Sequence, residues 1–403
     1  MIPLRYNVRN LFVRWKTTAL TSLGFVLVVG LLVVMLAFVE GLNALSQKTG
    51  PEGNVILLRD GATDELFSEI AVNQENLSAL WLQPEVLTEQ GKPLVSKEVY
   101  SIATQEIPPA EEGGRKTYRF LQVRGVEDPA RSGRVHGLHL HAGGRWFDET
   151  GTECVMGEGI ARALGKKLGD VFQPRPDLAW KIVGILDSRG TPFDSEIWAK
   201  LADIGRYFGK DNEQTGQRFY TSIVVATKDS ATAEKFAREI QDRVRDIRIH
   251  AQPERKYYAS LSKSNQMFEG VALFIAVVMA IGGMFGLMNT MFAAVSQRIK
   301  DIGVLRILGY THWQILYSFL LESLLLAGIG GVAGIACGYL VHGVEQTSYV
   351  SSGQGGGKTV VFTLIVNQTV VLWAVSFTVA MGIIGGILPA WAAMRLRPLD
   401  AVR

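Results

Sequence analysis

Four long apolar runs set the organisation of the chain: Ala19 to Val39, Phe268 to Val295, Ile315 to Val341 and Thr369 to Trp391. Each is about as long as the roughly 20 residues that a bilayer core requires. Their charges are few, with Glu269 near the start of the second run and Glu322 in the third. A core helix of a soluble protein is seldom apolar all round over this length. The pattern therefore predicts four membrane-spanning helices, over residues 18–40 and about 268–295, 315–341 and 369–391. The first run exceeds the roughly 7–15 apolar residues of a signal peptide and reads as an uncleaved anchor.

Residues 41–265 follow a different pattern. Short β-like runs, "NVILL", "YRFLQVRGV", "WKIVGIL" and "YTSIVVAT", alternate with turn residues, and "GIARALGKKLGD" and "SATAEKFAREIQDRV" read as helices. This is a mixed α+β domain inserted between the first and second spans, large enough to bury its own core. "IPPAEEGGRK" reads as a loop inside it. The fold class is thus a membrane protein of four transmembrane helices carrying a large α+β extracytoplasmic domain.

The flanks give an orientation. Arg5, Arg9, Arg14 and Lys16 precede the first run, Arg298, Lys300 and Arg306 lie between the second and third, and Arg395, Arg397 and Arg403 follow the fourth. Positive residues in short flanks mark the cytoplasmic side. Both termini and the 296–312 loop are then inside, and the 41–265 domain and the 342–368 segment are outside. Pro3 to Lys16 carries Leu4, Val8, Leu11, Phe12 and Trp15 at helical spacing. Residues 1–17 read either as an amphipathic helix on the inner membrane surface or as an extension of the first span.

Composition narrows the function. Charged residues make up 20% of the chain, below the roughly 25% of soluble domains, in keeping with a membrane protein. A net charge of +3 gives no basis for nucleic-acid binding. The two cysteines, Cys154 and Cys337, form no disulfide framework.

The stretch "SSGQGGGKTV", residues 351–360, resembles a phosphate-binding loop only in its last letters. The pattern G-x-x-x-x-G-K-[ST] needs glycine at position 352, which is serine. A helix should follow, so that its N-terminus faces the phosphates. Instead "TVVFTLIV" reads as a strand, and the segment reads as a flexible glycine loop. "RVHGLHLHAGGRW" brings His136, His139 and His141 together, without a neighbouring cluster of Cys, Asp or Glu, and reads as a solvent-facing strand and turn. A G-x-S-x-G nucleophile motif is absent. No catalytic residue, metal site or cofactor is assigned, and the chain is not read as an enzyme.

The most informative stretch is "SQRIKDIGVLRILGYTHWQILYSFLLES". Ile299, Ile302, Leu305 and Leu308 recur every three residues and predict a short amphipathic helix over about 298–309, with Arg298, Lys300, Asp301 and Arg306 on its polar side. Gly309 is a stop signal. Thr311 and Gln314 suit a capping box opening the third span. Such a helix either joins two spans or presents a surface to a partner.

This stretch resembles the coupling segment of MacB/FtsX-type ABC transporter permeases, N…R-x-x-E-I-G-x-[LM]-[RK]-A-[LM]-G. Asn289, Arg298, Asp301, Ile302, Gly303, Leu305, Arg306 and Gly309 match, with Asp301 in place of Glu and Ile307 in place of Ala. Glu322 also resembles a family position. The ending "GGILPAWAAMRLRPLDAVR" resembles P-A-x-x-A-x-x-x-x-P-x-x-A-[LI]-R through Pro389, Ala390, Ala393, Pro398, Ala401 and Arg403. The first span and the 41–265 segment look like the family's first span and MacB-like core domain, and 266–403 like its FtsX-like permease domain.

The resemblance implies a permease subunit in the inner (plasma) membrane, paired with a second permease subunit, either an identical copy or a paralogue. It also implies ATPase subunits on a separate chain, because these 403 residues contain no ATPase domain. The short cytosolic helix would seat in a cleft of that ATPase. Two activities remain open. One is export or extraction of a hydrophobic or amphipathic substrate, with a periplasmic adaptor and an outer-membrane channel as further partners. The other is FtsX-like signalling that regulates an extracytoplasmic cell-wall hydrolase. The spans carry Gly282 and Gly286, then Gly330, Gly334 and Gly338, then Gly382 and Gly386, each set spaced by four as close helix packing requires.

Overall fold

The computed structural model describes residues 15–395, with 9 and 13, apart from 63, 72–80, 108–116, 149–150, 189, 209–210, 213–216, 244–248, 262 and 353–355. Most of the N-terminal amphipathic segment, and Pro398, Ala401 and Arg403 of the C-terminal motif, lie outside the described residues. The chain divides into two compact units, one of residues 1–41, 265–344 and 363–403, the other of residues 42–264 and 345–362.

The first unit is helical. Its helices are α1 (Trp15–Lys48), α7 (Lys263–Gln297), the short α8 (Ile299–Ile307), α9 (His312–Tyr339) and α10 (Gln368–Met394). Four of them contain segments long and apolar enough to cross a membrane: Thr18–Leu45, Gly270–Gln297, His312–Tyr339 and Gln368–Met394. With 34 residues, α1 is about 50 Å long, longer than the hydrocarbon core it would cross.

Glycines set how closely these helices approach. A Cβ at Gly330 would run into Phe25 and the Ser22 carbonyl, and one at Gly338 into Val33. At Gly334 it would lie 3.0 Å from the Val26 oxygen. The predicted 330/334/338 stripe is therefore the seam between α9 and α1. Gly382 and Gly386 seat α10 on Ala327 and Ser323 of α9, where the Ser323 hydroxyl also donates to the Gly382 carbonyl at 3.0 Å. The third set behaves differently from the expectation of close packing. Gly282 and Gly286 have nothing within 4 Å, and Gly283 makes the contact, against Met381. Pro389 is buried inside α10, where its missing N–H leaves one carbonyl of the preceding turn without its helical partner.

The second unit is the α+β domain. Its helices are α2 (Pro129–Val135), α3 (Glu158–Ala163), α4 (Leu201–Tyr207), α5 (Ser230–Arg243) and α6 (Glu254–Leu261). Its main strands are β1 (Asn54–Arg59), β2 (Val95–Ile107), β3 (Thr117–Val126), β4 (His139–Leu140), β5 (Glu153–Gly157), β6 (Val171–Arg175), β7 (Leu178–Asp187), β8 (Glu196–Lys200), β9 (Ser222–Ala226) and β10 (Ile249–Pro253). They form one sheet in the order β10-β1-β9-β2-β3-β8-β5-β7-β4, with β6 paired to β7. The β5/β7 and β3/β8 pairs are parallel and the other pairs of this sheet antiparallel. Val55, Ile56, Leu57 and Leu58 of β1 are all buried, so this strand is covered on both faces.

Of the segment expected as a flexible glycine loop, residues 353–355 lie outside the described residues, and the residues on either side form a two-stranded hairpin, β11 (Glu345–Ser352) and β12 (Gly356–Thr363). Its β-branched residues drive the strand. Val361 is buried in the core of the α+β domain. Gln122 donates to the Thr359 carbonyl at 2.6 Å, and the Val361 N–H donates to the Ser195 hydroxyl at 2.8 Å. A strand, not a helix N-terminus, follows the glycines, so the backbone geometry of a phosphate-binding loop is not formed.

Candidate functional site

Arg298 turns the corner between α7 and α8. Its amide bonds the Val295 carbonyl at 3.0 Å, and its carbonyl accepts from the Ile302 amide at 2.9 Å, opening α8. Its side chain does not lie on an exposed polar face, as the helical spacing suggests. It is buried and bidentate to Glu322 of α9, with Nη1 to Oε2 at 2.8 Å and Nη2 to Oε1 at 3.1 Å. The fork of guanidinium donors matches the two carboxylate oxygens, the strongest geometry for such a pair. Ile302 and Gly303 are also buried, and Ile302 packs with Ile315, Phe319, Ala390 and Ala393.

The far end of α8 is closed twice. Gly309 takes φ +91°, the left-handed conformation that glycine adopts freely. Its amide bonds the Arg306 carbonyl and the Tyr310 amide bonds the Leu305 carbonyl, both at 3.1 Å, which is a Schellman stop. Thr311 and Gln314 then cap α9 reciprocally, with the Thr311 amide on Gln314 Oε1 at 2.9 Å and the Gln314 amide on Thr311 Oγ1 at 3.4 Å. Both local features follow directly from residue type.

The faces of α8 correct the predicted amphipathic stripe. A three-residue repeat slips by about 60° per step on a helix of 3.6 residues per turn, so Leu308 has turned to the side opposite Ile299. Leu305 and Ile299 are half-buried, and Leu305 lines a small recess with Arg298, Asp301, Ile302, Phe319 and Glu322. Val304, Ile307 and Leu308 are instead exposed, and Lys300 and Asp301 are exposed beside them. Arg306 is half-buried and donates to the Tyr310 carbonyl of its own chain at 3.2 Å, with Nε lacking a partner. The apolar exposed side therefore belongs to Val304, Ile307 and Leu308. Asn289 is exposed on α7, eight residues before its end, on the stripe of Gly282 and Gly286.

A second polar constellation lies inside the α+β domain, and sequence reading missed it. Arg124 of β3 sits among three buried carboxylates. It is bidentate to Glu196 at 2.7 and 2.8 Å, contacts Glu65 at 2.9 and 3.2 Å, and bonds Glu98. His136, the end of α2, places Nε2 at 2.6 Å from Glu98 Oε1. Its Nδ1 lies 3.2 Å from Glu254 Oε1, close enough for an ion pair but off the hydrogen-bonding line. Burial pushes the Glu98 carboxyl up, yet the charges of His136 and Arg124 outweigh it and hold it at about 2. Burial pushes His136 down, and the charges of Glu98 and Glu254 reverse this and raise it to about 10. Burial raises Glu65 despite the opposing charge of Arg124. His139 and His141 are exposed, apart from this network, and His141 contacts Glu158 at 3.1 Å. No local signal in the sequence singles these residues out: Glu98 stands beside Lys97, β3 also carries Arg119, and β8 also carries Lys200.

These features, a four-helix membrane unit with a short connecting helix and an inserted α+β domain, are those of a multi-pass permease. A family model of the MacB-like periplasmic core domain matches residues 18–243, and one of the FtsX-like permease C-terminal region matches residues 273–398. The chain belongs to the MacB/FtsX-type ABC transporter permeases. It is 28% identical over 269 residues to an uncharacterized ABC transporter permease of Methanocaldococcus jannaschii, covering 64% of each chain. It is 31% identical over 242 residues to the macrolide export ATP-binding/permease protein MacB of Nitrobacter winogradskyi, covering 56% of this chain but 34% of that one. It is 25% identical to the uncharacterized ABC transporter permease YknZ of Bacillus subtilis, over 99% of this chain and 98% of the relative.

Proposed function

We propose that this chain is the transmembrane permease subunit of an ABC complex in which α8 docks a separate cytosolic ATPase. The carrying observation is the exposed triad Val304, Ile307 and Leu308 on a helix fixed at both ends, by Arg298–Glu322 at one and by the Gly309 stop and Thr311 cap at the other. A rigidly held helix delivers a push to α9 without absorbing it. Lys300 and Asp301, beside the triad, supply orienting charge, while Arg298 and Arg306 act within the chain.

In this reading both termini and α8 are cytosolic and the α+β domain is extracytoplasmic. The basic flanks support that orientation, as does the description of the matching core domain as periplasmic. The exposed stripe Gly282, Gly286 and Asn289 supports packing of α7 against a second permease subunit, where a polar side chain leaves lipid. The MacB-like domain favours export or extraction of a hydrophobic or amphipathic substrate, with adaptor and outer-membrane channel as further partners. Leu308→Glu places a charge in the docking cleft, which costs several kcal/mol if unpaired. Tagged permease carrying it should insert and fold normally but retain less than about a tenth of the co-purifying ATPase. Undiminished co-purification contradicts the docking assignment.

A further inference from the structure

Among the described residues, the polar network of the α+β domain buries Glu65, Glu98, Glu196 and Glu254 against only Arg124 and His136. Buried ion pairs are weak stabilisers compared with apolar packing, and their best-attested value is in fixing position. Their hydrogen bonds are directional, whereas apolar contacts slide.

Asn54 opens β1, six residues after the end of α1. Glu254 opens α6, nine residues before the start of α7. The two are directly bonded: Asn54 Nδ2 donates to Glu254 Oε2 at 2.7 Å and also to the Val135 carbonyl at 2.8 Å. Two further contacts knit the same segments. Arg255 pairs with Glu52 at 2.5 Å. Gly50, at φ +85°, turns so tightly that a Cβ there would lie 3.1 Å from the Glu254 side chain. From Glu254 the path runs through His136 to Glu98, then Arg124 and Glu196. Ser195, next in sequence to Glu196, bonds Val361 of the hairpin that connects α9 to α10. The segments by which all four spanning helices enter the domain are thus joined through one buried polar path.

We propose that Asn54, Glu254 and His136 form a clasp that holds the two chain segments leaving α1 and entering α7 together and ties them to the Arg124 centre. The domain then responds as one body, hairpin included, when the first two spans move. His136 to Glu254 is the link without a hydrogen bond, and it is the place where the path yields first. These three are positioning residues. The part of the proposal concerning motion driven by ATP rests on the docking reading above.

The test is hydrogen exchange of the full-length permease in detergent, comparing wild type, Asn54→Ala and the milder Glu254→Gln. The clasp predicts faster exchange, by about tenfold, at the roots (50–58 and 249–258) and also at Val361 in β12, with β6 unchanged. Exchange confined to the roots overturns it, because Asn54 and Glu254 then only pack locally. If Asn54→Ala unfolds the domain and speeds β6 as well, Glu254→Gln decides by the same criterion. In the complex with its ATPase, nucleotide binding should alter exchange at α8 and β12 in wild type, and at α8 alone in the variants. An equal change at β12 in folded variants overturns the clasp. No change at α8 even in wild type counts against the docking reading instead, and leaves the clasp to be judged by the permease alone.

Discussion

Arg298 and Glu322 are 24 positions apart, yet both oxygens of the Glu322 carboxylate accept from the two terminal nitrogens of Arg298, at 2.8 and 3.1 Å. The pair is almost fully buried in the helical unit. It joins the start of α8 to the third turn of α9. The hydrophobic contact of Ile302 with Ile315 and Phe319 lies beside it.

Removing one partner leaves the other charge buried and unpaired, at a cost of about 3–5 kcal/mol. Glu322→Ala and Arg298→Ala should therefore each lower the melting temperature of the permease and loosen α8. The exchange of charges, Arg298→Glu with Glu322→Arg, should recover part of the loss. A double variant no better than the singles would show that the pair adds nothing beyond the two separate side chains. Thermal melts and proteolysis at the 298–309 segment give both readouts.

The buried pairs of the α+β domain predict a pH profile. His136 is raised from 6.5 to about 10, so its contribution is complete below 6.5 and is lost as pH climbs towards 10. Glu98 is lowered from 4.5 to about 2, so its contribution is complete above 4.5 and is lost as pH falls towards 2. Glu65 is raised, so it too favours the folded state less as pH rises through its shifted value. Stability of the domain should be greatest near pH 4.5, decline above it as the Glu65 contribution is lost, and decline further above 6.5 as the His136 contribution is lost. Melts followed by tryptophan fluorescence, which reports on Trp198 beside His136, check this. His136→Gln should flatten the alkaline limb, and an unchanged limb would remove His136 from the account.

Lys358 ends a sequence that imitates a nucleotide loop, but its backbone runs in β12. Lys358→Ala should leave ATP hydrolysis by the assembled complex within about twofold, since a phosphate-loop lysine would sit on the transferring phosphate. A loss of roughly tenfold or more would restore the nucleotide reading.

The spans were legible because lipid demands long apolar helices, and a helix satisfies its own backbone. The Gly309 stop and Thr311–Gln314 cap were legible because each is made by residues within a few positions of one another. The face of α8 was not. Its three-residue repeat reads as a stripe on paper and spirals on a real helix, so Ile302 is buried, Ile299 and Leu305 are half-buried, and Leu308 alone of the four is exposed, beside Val304 and Ile307. The ionic network was hidden for another reason. Gln122 and Arg124 alternate with Leu121 and Val123 in β3, the signature of a strand with one wet face. Both faces of β3 are covered from Leu121 to Val126, and the partners of Arg124 come from 26 to 72 residues away. The hairpin was half legible: its second strand was read from β-branched residues, but nothing local pointed to Ser195 or Gln122 as its anchors.

The central claim is that α8 meets a separate ATPase through Val304, Ile307 and Leu308. Photocrosslinking tests it most directly. A photoreactive side chain is placed in turn at Ile307, at Leu308 and at Phe274, which is exposed on α7, and the permease is irradiated in its native membrane. The account predicts an adduct of permease and ATPase from positions 307 and 308 and none from 274. Adducts from 274 alone, or from none of the three while the ATPase still co-purifies, would contradict it.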